Sequence, residues 1–148
     1  MTIPGDYIAG DVLSAANVNL LSARVYAATV AAAESTASAT FVALATAGPA
    51  VTCQTRTTAL VTVSMLSNNG VVGNSCFMGV AVSGATTIAA SSLVALTAAE
   101  SDIANSDDNC RQILVTGLTP GSNTFTAQYR VNSGSGTFTN RVISVVAL

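Results

Sequence analysis

Histidine, lysine and tryptophan are absent from this 148-residue sequence, and only 8% of its residues are charged. Without histidine the commonest general base is missing. Without lysine there is no side-chain amine for a Schiff base. A cysteine nucleophile would find no base beside it. The acids are Asp6, Asp11, Glu34, Glu100, Asp102, Asp107 and Asp108, and only the last four lie close in sequence. Carboxylate pairs that cleave glycosides need set separations, and nothing in this spacing supplies one. The composition therefore predicts no enzyme, no catalytic residues and no cofactor.

Scarce charge also bounds the partners. An ordinary soluble domain is about 25% charged. The five arginines, Arg24, Arg56, Arg111, Arg130 and Arg141, are scattered singly, and the net charge is −2. Phosphate neutralisation needs clustered cations, so nucleic-acid binding is not expected. A lone subunit this poor in charge has little to keep its apolar patches apart. Its surface must be wetted by Ser, Thr and Asn, or covered by partners. No apolar run reaches the roughly 18 residues of a membrane helix. Met1 to Asp6 lack the basic start and apolar run of a signal peptide, so neither is expected.

Only 5% of residues are aromatic while 50% are hydrophobic, so the core must be built from Val, Leu, Ile and Ala. A chain of this length buries roughly 70% of its unfolded surface, enough for one domain without staples. Cys53, Cys76 and Cys110 are odd in number and widely spaced. That is neither a disulfide framework nor a metal motif. Buried thiols in a reducing compartment are expected, with one cross-strand bridge as the alternative.

Residues 1–35 differ in pattern from the rest. Ile3-Pro4 reads as extended, because the residue before proline avoids the helical region. Ser14 is placed to cap a helix. From Ala15 to about Ala33, Val18, Leu21, Val25, Ala28 and Ala32 recur at three- and four-residue steps, which predicts a short helix. From Ser38 onward the period becomes two. Strands are expected at Thr40–Leu44, from Ala50, at Thr57–Leu66, Cys76–Ser83, Arg111–Thr116 and Thr124–Val131, and from Thr137 to Leu148, with one or two more between Thr86 and Leu96. Turns are expected at Ser67–Gly70, at Thr119–Ser122 and at Asn132–Gly136. About eight short strands with regular turns predict a mainly β fold, an antiparallel β-sandwich or jelly roll over 36–148, preceded by an arm and helix over 1–35.

Leu118-Thr119-Pro120-Gly121-Ser122-Asn123-Thr124, running on through Val131, resembles the closing hairpin of small β-sandwich domains in structural proteins of tailed bacteriophages. So do Gly134–Phe138 and Asn140–Ile143. Ile3-Pro4 with Ala9–Asn19 is similar to the leading arm of phage tail and head-decoration proteins. The resemblance covers both ends of the chain and leaves its middle unmatched. It implies a homotrimer, attached through its N-terminal segment in a virion assembled in the host cytoplasm. It implies no catalytic residues.

The expected function is thus a capsid decoration or cement protein that trimerises and clamps neighbouring major capsid subunits. A minor tail or short-fibre protein is the alternative. A host-glycan-binding module is the second, disfavoured by the lack of Trp and the presence of only three Tyr. Tyr7, Val18, Leu21, Val25 and Tyr26 are the candidate partner anchors, since an aromatic on an extended arm suits a partner's pocket. Tyr26 packing on its own sandwich is the other reading. Arg130 and Arg141 are candidates for subunit-interface pairs with a neighbour's acids, against a solvated strand face. The run from Glu100 to Asp108 is rich enough in carboxylates to suggest Ca²⁺, but its spacing is not that of an EF-hand, and a solvated loop is the simpler expectation.

Overall fold

The computed structural model describes residues 24–99 and 106–148. Nine strands occur among them: β1 (Arg24–Val30), β2 (Glu34–Thr36), β3 (Ala50–Thr55), β4 (Thr58–Asn69), β5 (Ser75–Gly84), β6 (Ala95–Ala99), β7 (Asp107–Thr116), β8 (Gly121–Val131) and β9 (Gly136–Ala147). One sheet runs β1-β9-β4-β7, with β2 continuing the β1 edge along the other half of β9. The second runs β3-β8-β5-β6. All pairings are antiparallel. With β1 and β2 counted as one interrupted edge strand, two four-stranded sheets remain, and the chain passes back and forth between them. That is the jelly-roll sandwich.

Strict alternation builds the core. Along β4, Ala59, Val61, Val63 and Met65 are buried, with Leu60, Thr62, Ser64 and Leu66 half-buried between them. Along β8, Phe125, Ala127, Tyr129 and Val131 point inward. Three of the seven aromatics, Phe125, Tyr129 and Phe138, are fully buried in this core, with the Tyr129 and Phe138 rings 4.9 Å apart at 55°. At the β6–β7 margin the Arg111 guanidinium donates to the Ala95 and Leu93 carbonyls, tying the two sheets together.

Several local expectations are corrected. The helix expected over Ala15–Ala33 is not formed by its described part, because Arg24–Val30 is a strand making a seven-residue ladder with β9. Val25, Tyr26, Thr29 and Val30 are β-branched or aromatic and favour a pleated surface. Their burial alternates, with Tyr26, Ala28 and Val30 turned inward. Within the expected anchor of residues 1–35, β1 and the start of β2 are thus sheet strands of the sandwich itself, and residues 1–23 lie outside the described residues. Thr40–Leu44 makes only an isolated bridge, at Val42 with Tyr129. That segment instead hugs the β8 edge, with Ser38, Val42 and Pro49 carbonyls accepting from Val131, Tyr129 and Ala127. β4 runs on to Asn69, through the first three residues of the expected turn, so the chain bends only from Gly70 onward. The expected strands in Thr86–Leu96 reduce to a bridge at Ile88, a 3-10 turn at Ser92–Val94 and the start of β6.

Candidate assembly interface

The outer face of the β1-β9-β4-β7 sheet is assembled in rows by the strand register. Val25 lies opposite Val146, Val146 opposite Leu60, and Leu60 opposite Leu114. Residues directly opposed across antiparallel strands share a face. Four aliphatic side chains therefore form one unbroken row across four strands. Its ends are open, with Val25 67% and Leu114 58% exposed. Leu148, whose N–H bonds the Thr58 carbonyl, is also exposed beside the row. The next row is Ala27, Ser144, Thr62 and Gln112, and the next Thr29, Val142, Ser64 and Cys110. Asp108, opposite Leu66, brings the first charge.

The outer face of the other sheet is different. Arg130 and Phe77 are cross-strand partners, and the guanidinium lies 3.7 Å from the Phe77 ring centroid. The Phe41 ring is 5.4 Å away. Gly79 allows this, since a Cβ there would stand 2.7 Å from the Phe41 ring. Arg130 Nε and Nη2 both donate to Ser92 Oγ, at 3.2 and 2.8 Å. Arg130 is thus half-buried and held within its own chain, beside a shallow hollow lined by Thr40, Phe41, Ser91, Ser92 and Gln128.

Arg141 is not outward at all. It is fully buried, its Nη2 3.3 Å from Glu34 Oε2. A β-bulge causes this. Thr139 pairs with Leu66 and Val142 with Ser64, so two residues of β9 oppose Met65. Asn140 absorbs the extra residue at φ 48°, a left-handed conformation that Asn tolerates. The insertion turns Arg141 inward. Its Nη1 and Nη2 also reach the Thr46 and Ala32 carbonyls, and its guanidinium carbon lies 5.3 Å from the Tyr129 ring centroid. Both Glu34 oxygens accept the Thr46 N–H, at 2.9 and 3.0 Å. The Thr46 hydrogen bonds first, and the Arg141 charge after them, hold the Glu34 carboxyl below its usual range.

The other candidates fall as follows. Tyr7, Val18 and Leu21 lie outside the described residues. Val25 sits at the open end of the aliphatic row. Tyr26 is half-buried and packs against its own core. Cys53 and Cys76 are buried, Cys110 is exposed where a buried thiol was expected, and no disulfide joins any two of the three. Burial pushes the Cys53 thiol up. Residues 100–105 of the acidic run lie outside the described residues, and Asp107 and Asp108 open β7. Among the described residues no three His, Cys, Asp or Glu side chains gather as metal ligands, and no helix is long and apolar enough to cross a membrane. The row through Leu60, Leu114 and Val146 was not expected. Its trace in the sequence is slight: Leu60 and Leu66 among the outward Thr, Ser and Asn of β4, and Leu114 on the outward face of β7.

No protein-family model matches the chain, and no curated protein matches it in sequence. The fold does have solved counterparts. The chain is similar to the VP2 subviral particle protein of infectious bursal disease virus, with a TM-score of 0.62 and 10% identity over 84% of this chain and 33% of that one. The Gt strain of the same virus gives 0.55 at 14% identity, over 84% and 33%. Its T13 viral particle gives 0.51 at 14% identity, over 84% and 31%. The chain spans about a third of the length of these proteins. It has the β-sandwich fold found in viral particle proteins.

Proposed function

We propose that this protein is a non-enzymatic structural component of a virion, working as one copy among many. Within that class we read it as a capsid decoration or cement protein of a tailed bacteriophage, trimeric, clamping neighbouring major capsid subunits and assembled in the host cytoplasm. The observation that carries the reading is the outer face of the β1-β9-β4-β7 sheet, crossed by Val25, Val146, Leu60 and Leu114 and free of charge along these strands as far as Asp108. Large exposed apolar patches mark interaction sites. The fold's likeness to viral particle proteins supports a shell as the setting.

Adhesion is the mechanism. Each contact buries apolar surface at about 25 cal/mol per Å². Symmetry then multiplies a modest contact into avidity. The first 23 residues, with Tyr7, Val18 and Leu21, are the proposed arm toward the major capsid or tail proteins, and Val25 joins that arm to the exposed row. Arg130, already satisfied by Ser92 and Phe77, is a weaker interface candidate. Stoichiometry in purified particles tests the reading. Hundreds of copies per particle are expected. A handful, matching tail symmetry, would place the chain in the tail instead, and none would end the virion reading.

A further inference from the structure

We propose that the hollow beside Arg130, on the outer face of the β3-β8-β5-β6 sheet, binds an acidic sugar: a pyranose unit whose single carboxylate is taken by the Arg130 guanidinium. This goes beyond the proposed function and does not depend on it.

Two segments outside the sheet wall the hollow. One carries Thr40 and Phe41 and is fastened to β8 by the Val42–Tyr129 bridge, through backbone hydrogen bonds of 3.0 and 2.9 Å. The other runs from Ala89 to Ser92 and is fastened to β5 by the Ile88–Val82 bridge. Between them lie the cross-strand partners Gln128 and Gly79. Gly79 lets both walls come close, since a Cβ there would stand 2.7 Å from the Phe41 ring and 3.2 Å from the Ala90 methyl. The space left is about 470 Å³, within the roughly 300–1,000 Å³ of small-molecule sites.

Arg130 supplies the charge. No other charged side chain lines the hollow, and among the described residues no carboxylate pairs with this arginine. Its Nε and Nη2 are one edge of the planar fork that takes both oxygens of a carboxylate. Here both converge on a single neutral oxygen, Ser92 Oγ, at 3.2 and 2.8 Å. Nη1 reaches only the Val131 carbonyl, at 3.4 Å. The donors are thus occupied while the charge is unmatched. Ser92 is exposed, so its hydroxyl is free to rotate and donate to an arriving oxygen. The Phe77 ring at 3.7 Å and the Phe41 ring at 5.4 Å hold the guanidinium in place beforehand, which lowers the ordering cost of binding. A carboxylate replaces one neutral acceptor by two charged ones. A phosphate dianion would keep one charge unmatched.

The lining selects the rest of the ligand. Thr40, Ser91 and Gln128 offer two hydroxyls and an amide, each able to donate and accept. Ala89, Ala90 and Phe41 offer C–H surface beside them. A sugar ring presents the same mixture of hydroxyls and C–H groups. A fatty acid would leave the polar groups facing its chain, and an aspartate side chain would reach the fork and leave the hollow empty.

Titration of the isotope-labelled full chain with galacturonate, at constant ionic strength and followed by nuclear magnetic resonance, tests this. The backbone amides of Ser92 and Gln128 and the Arg130 Nε–H should shift together, with a dissociation constant on the order of millimolar for a ligand of this size. Galactose, with a hydroxymethyl group in place of the carboxylate, should bind at least about tenfold more weakly. So should acetylaspartate amide, which carries the carboxylate without the ring. Arg130→Gln should weaken galacturonate by about the same factor. That variant also loses the ring contacts, so Ala89→Phe accompanies it: the position is exposed, and the larger side chain fills the hollow while Arg130 stays. Arg56→Gln removes an exposed charge between β3 and β4 and should change nothing. Oligogalacturonate distinguishes the sources of the sugar: tighter binding per unit indicates a unit within a chain, equal binding a free acid, and either supports the inference.

No shift with galacturonate would overturn it. Galactose or acetylaspartate amide binding as well as galacturonate would also do so, and the second result would make Arg130 a docking point for a neighbouring protein's acid. Undiminished binding by either Arg130→Gln or Ala89→Phe, or equal weakening by Arg56→Gln, counts against it in the same way. Particle stoichiometry is measured separately, so this site can fail while the virion reading stands.

Discussion

Arg141 and Glu34, 107 residues apart in the chain, form a 3.3 Å ion pair in which the guanidinium is wholly buried and the carboxylate lies at the rim. The pair fastens the turn after β1, the loop at Thr46 and the bulge of β9 to one another. Arg141 Nε has no hydrogen-bond partner, so its charge is already imperfectly compensated. Removing one member of a buried pair costs more than removing both, because a lone buried charge remains. Glu34→Gln should therefore lower the denaturant midpoint clearly. Adding Arg141→Met should recover much of that loss. Urea midpoints of the single and double variants check the order. A double variant less stable than Glu34→Gln would contradict it.

The same cluster sets a pH response at both ends. Glu34 is held below its ordinary 4.5, so it contributes stability above that value and loses it as pH falls through the lowered one. Burial pushes the Tyr129 hydroxyl above its ordinary 10, where its O–H donates to the Gly48 carbonyl at 2.9 Å. The folded chain keeps that proton above pH 10 while the unfolded chain sheds it, so stability falls as pH rises beyond 10. Urea midpoints should form a plateau between these limits. Glu34→Gln should flatten the acid limb alone, and Tyr129→Phe the alkaline limb alone.

These relationships differ in how far the sequence reveals them. β4, β8 and much of β9 could be read because one face is buried and the other wetted by Thr and Ser, which leaves a plain period of two. β1 could not. Ala27, Ala28 and Ala31 to Ala33 sit well on a helix, and the steps Val25, Ala28, Ala32 fit its period. What decides for a strand is the open edge of β9, a tertiary fact. Arg141 was misplaced because one left-handed residue, Asn140, reverses the alternation after it. The aliphatic row was invisible for a related reason. Positions 25, 60, 114 and 146 meet only once four registers are known.

Asn123 should be the most sensitive polar residue in the core. It is fully buried in β8, where its Nδ2 donates to Thr55 Oγ1 at 2.8 Å and to the Thr119 carbonyl at 3.0 Å. Its Oδ1 accepts the Thr86 N–H at 2.8 Å. One side chain thus closes three loops at the end of the β3-β8-β5 sheet. Asn123→Ala strands groups that each cost about 1–3 kcal/mol when buried unsatisfied, for a total of about 2–5 kcal/mol. Asn123→Asp keeps the acceptor but loses both donations and buries a charge, so it should be at least as damaging at neutral pH. Thermal unfolding of both variants tests this. A loss under 1 kcal/mol for Asn123→Ala would mean that the loops hold without it.

Thiol chemistry should divide the three cysteines by depth. Cys110 is exposed on β7, opposite Ser64. Cys53 is buried and burial raises its pKa, which lowers its thiolate fraction at neutral pH. Cys76 is buried, with its Sγ 3.7 Å from the Asn68 carbonyl. Dilute native protein treated with a maleimide should take up one equivalent, at Cys110, and the remaining two only in denaturant. Mass spectrometry of the labelled peptides identifies the site. Cys110→Ser should abolish the native reaction without moving the unfolding midpoint by more than about 0.5 kcal/mol, as for other surface substitutions. Native labelling at Cys53 or Cys76 would mean that the sandwich opens far more readily than its alternating core allows.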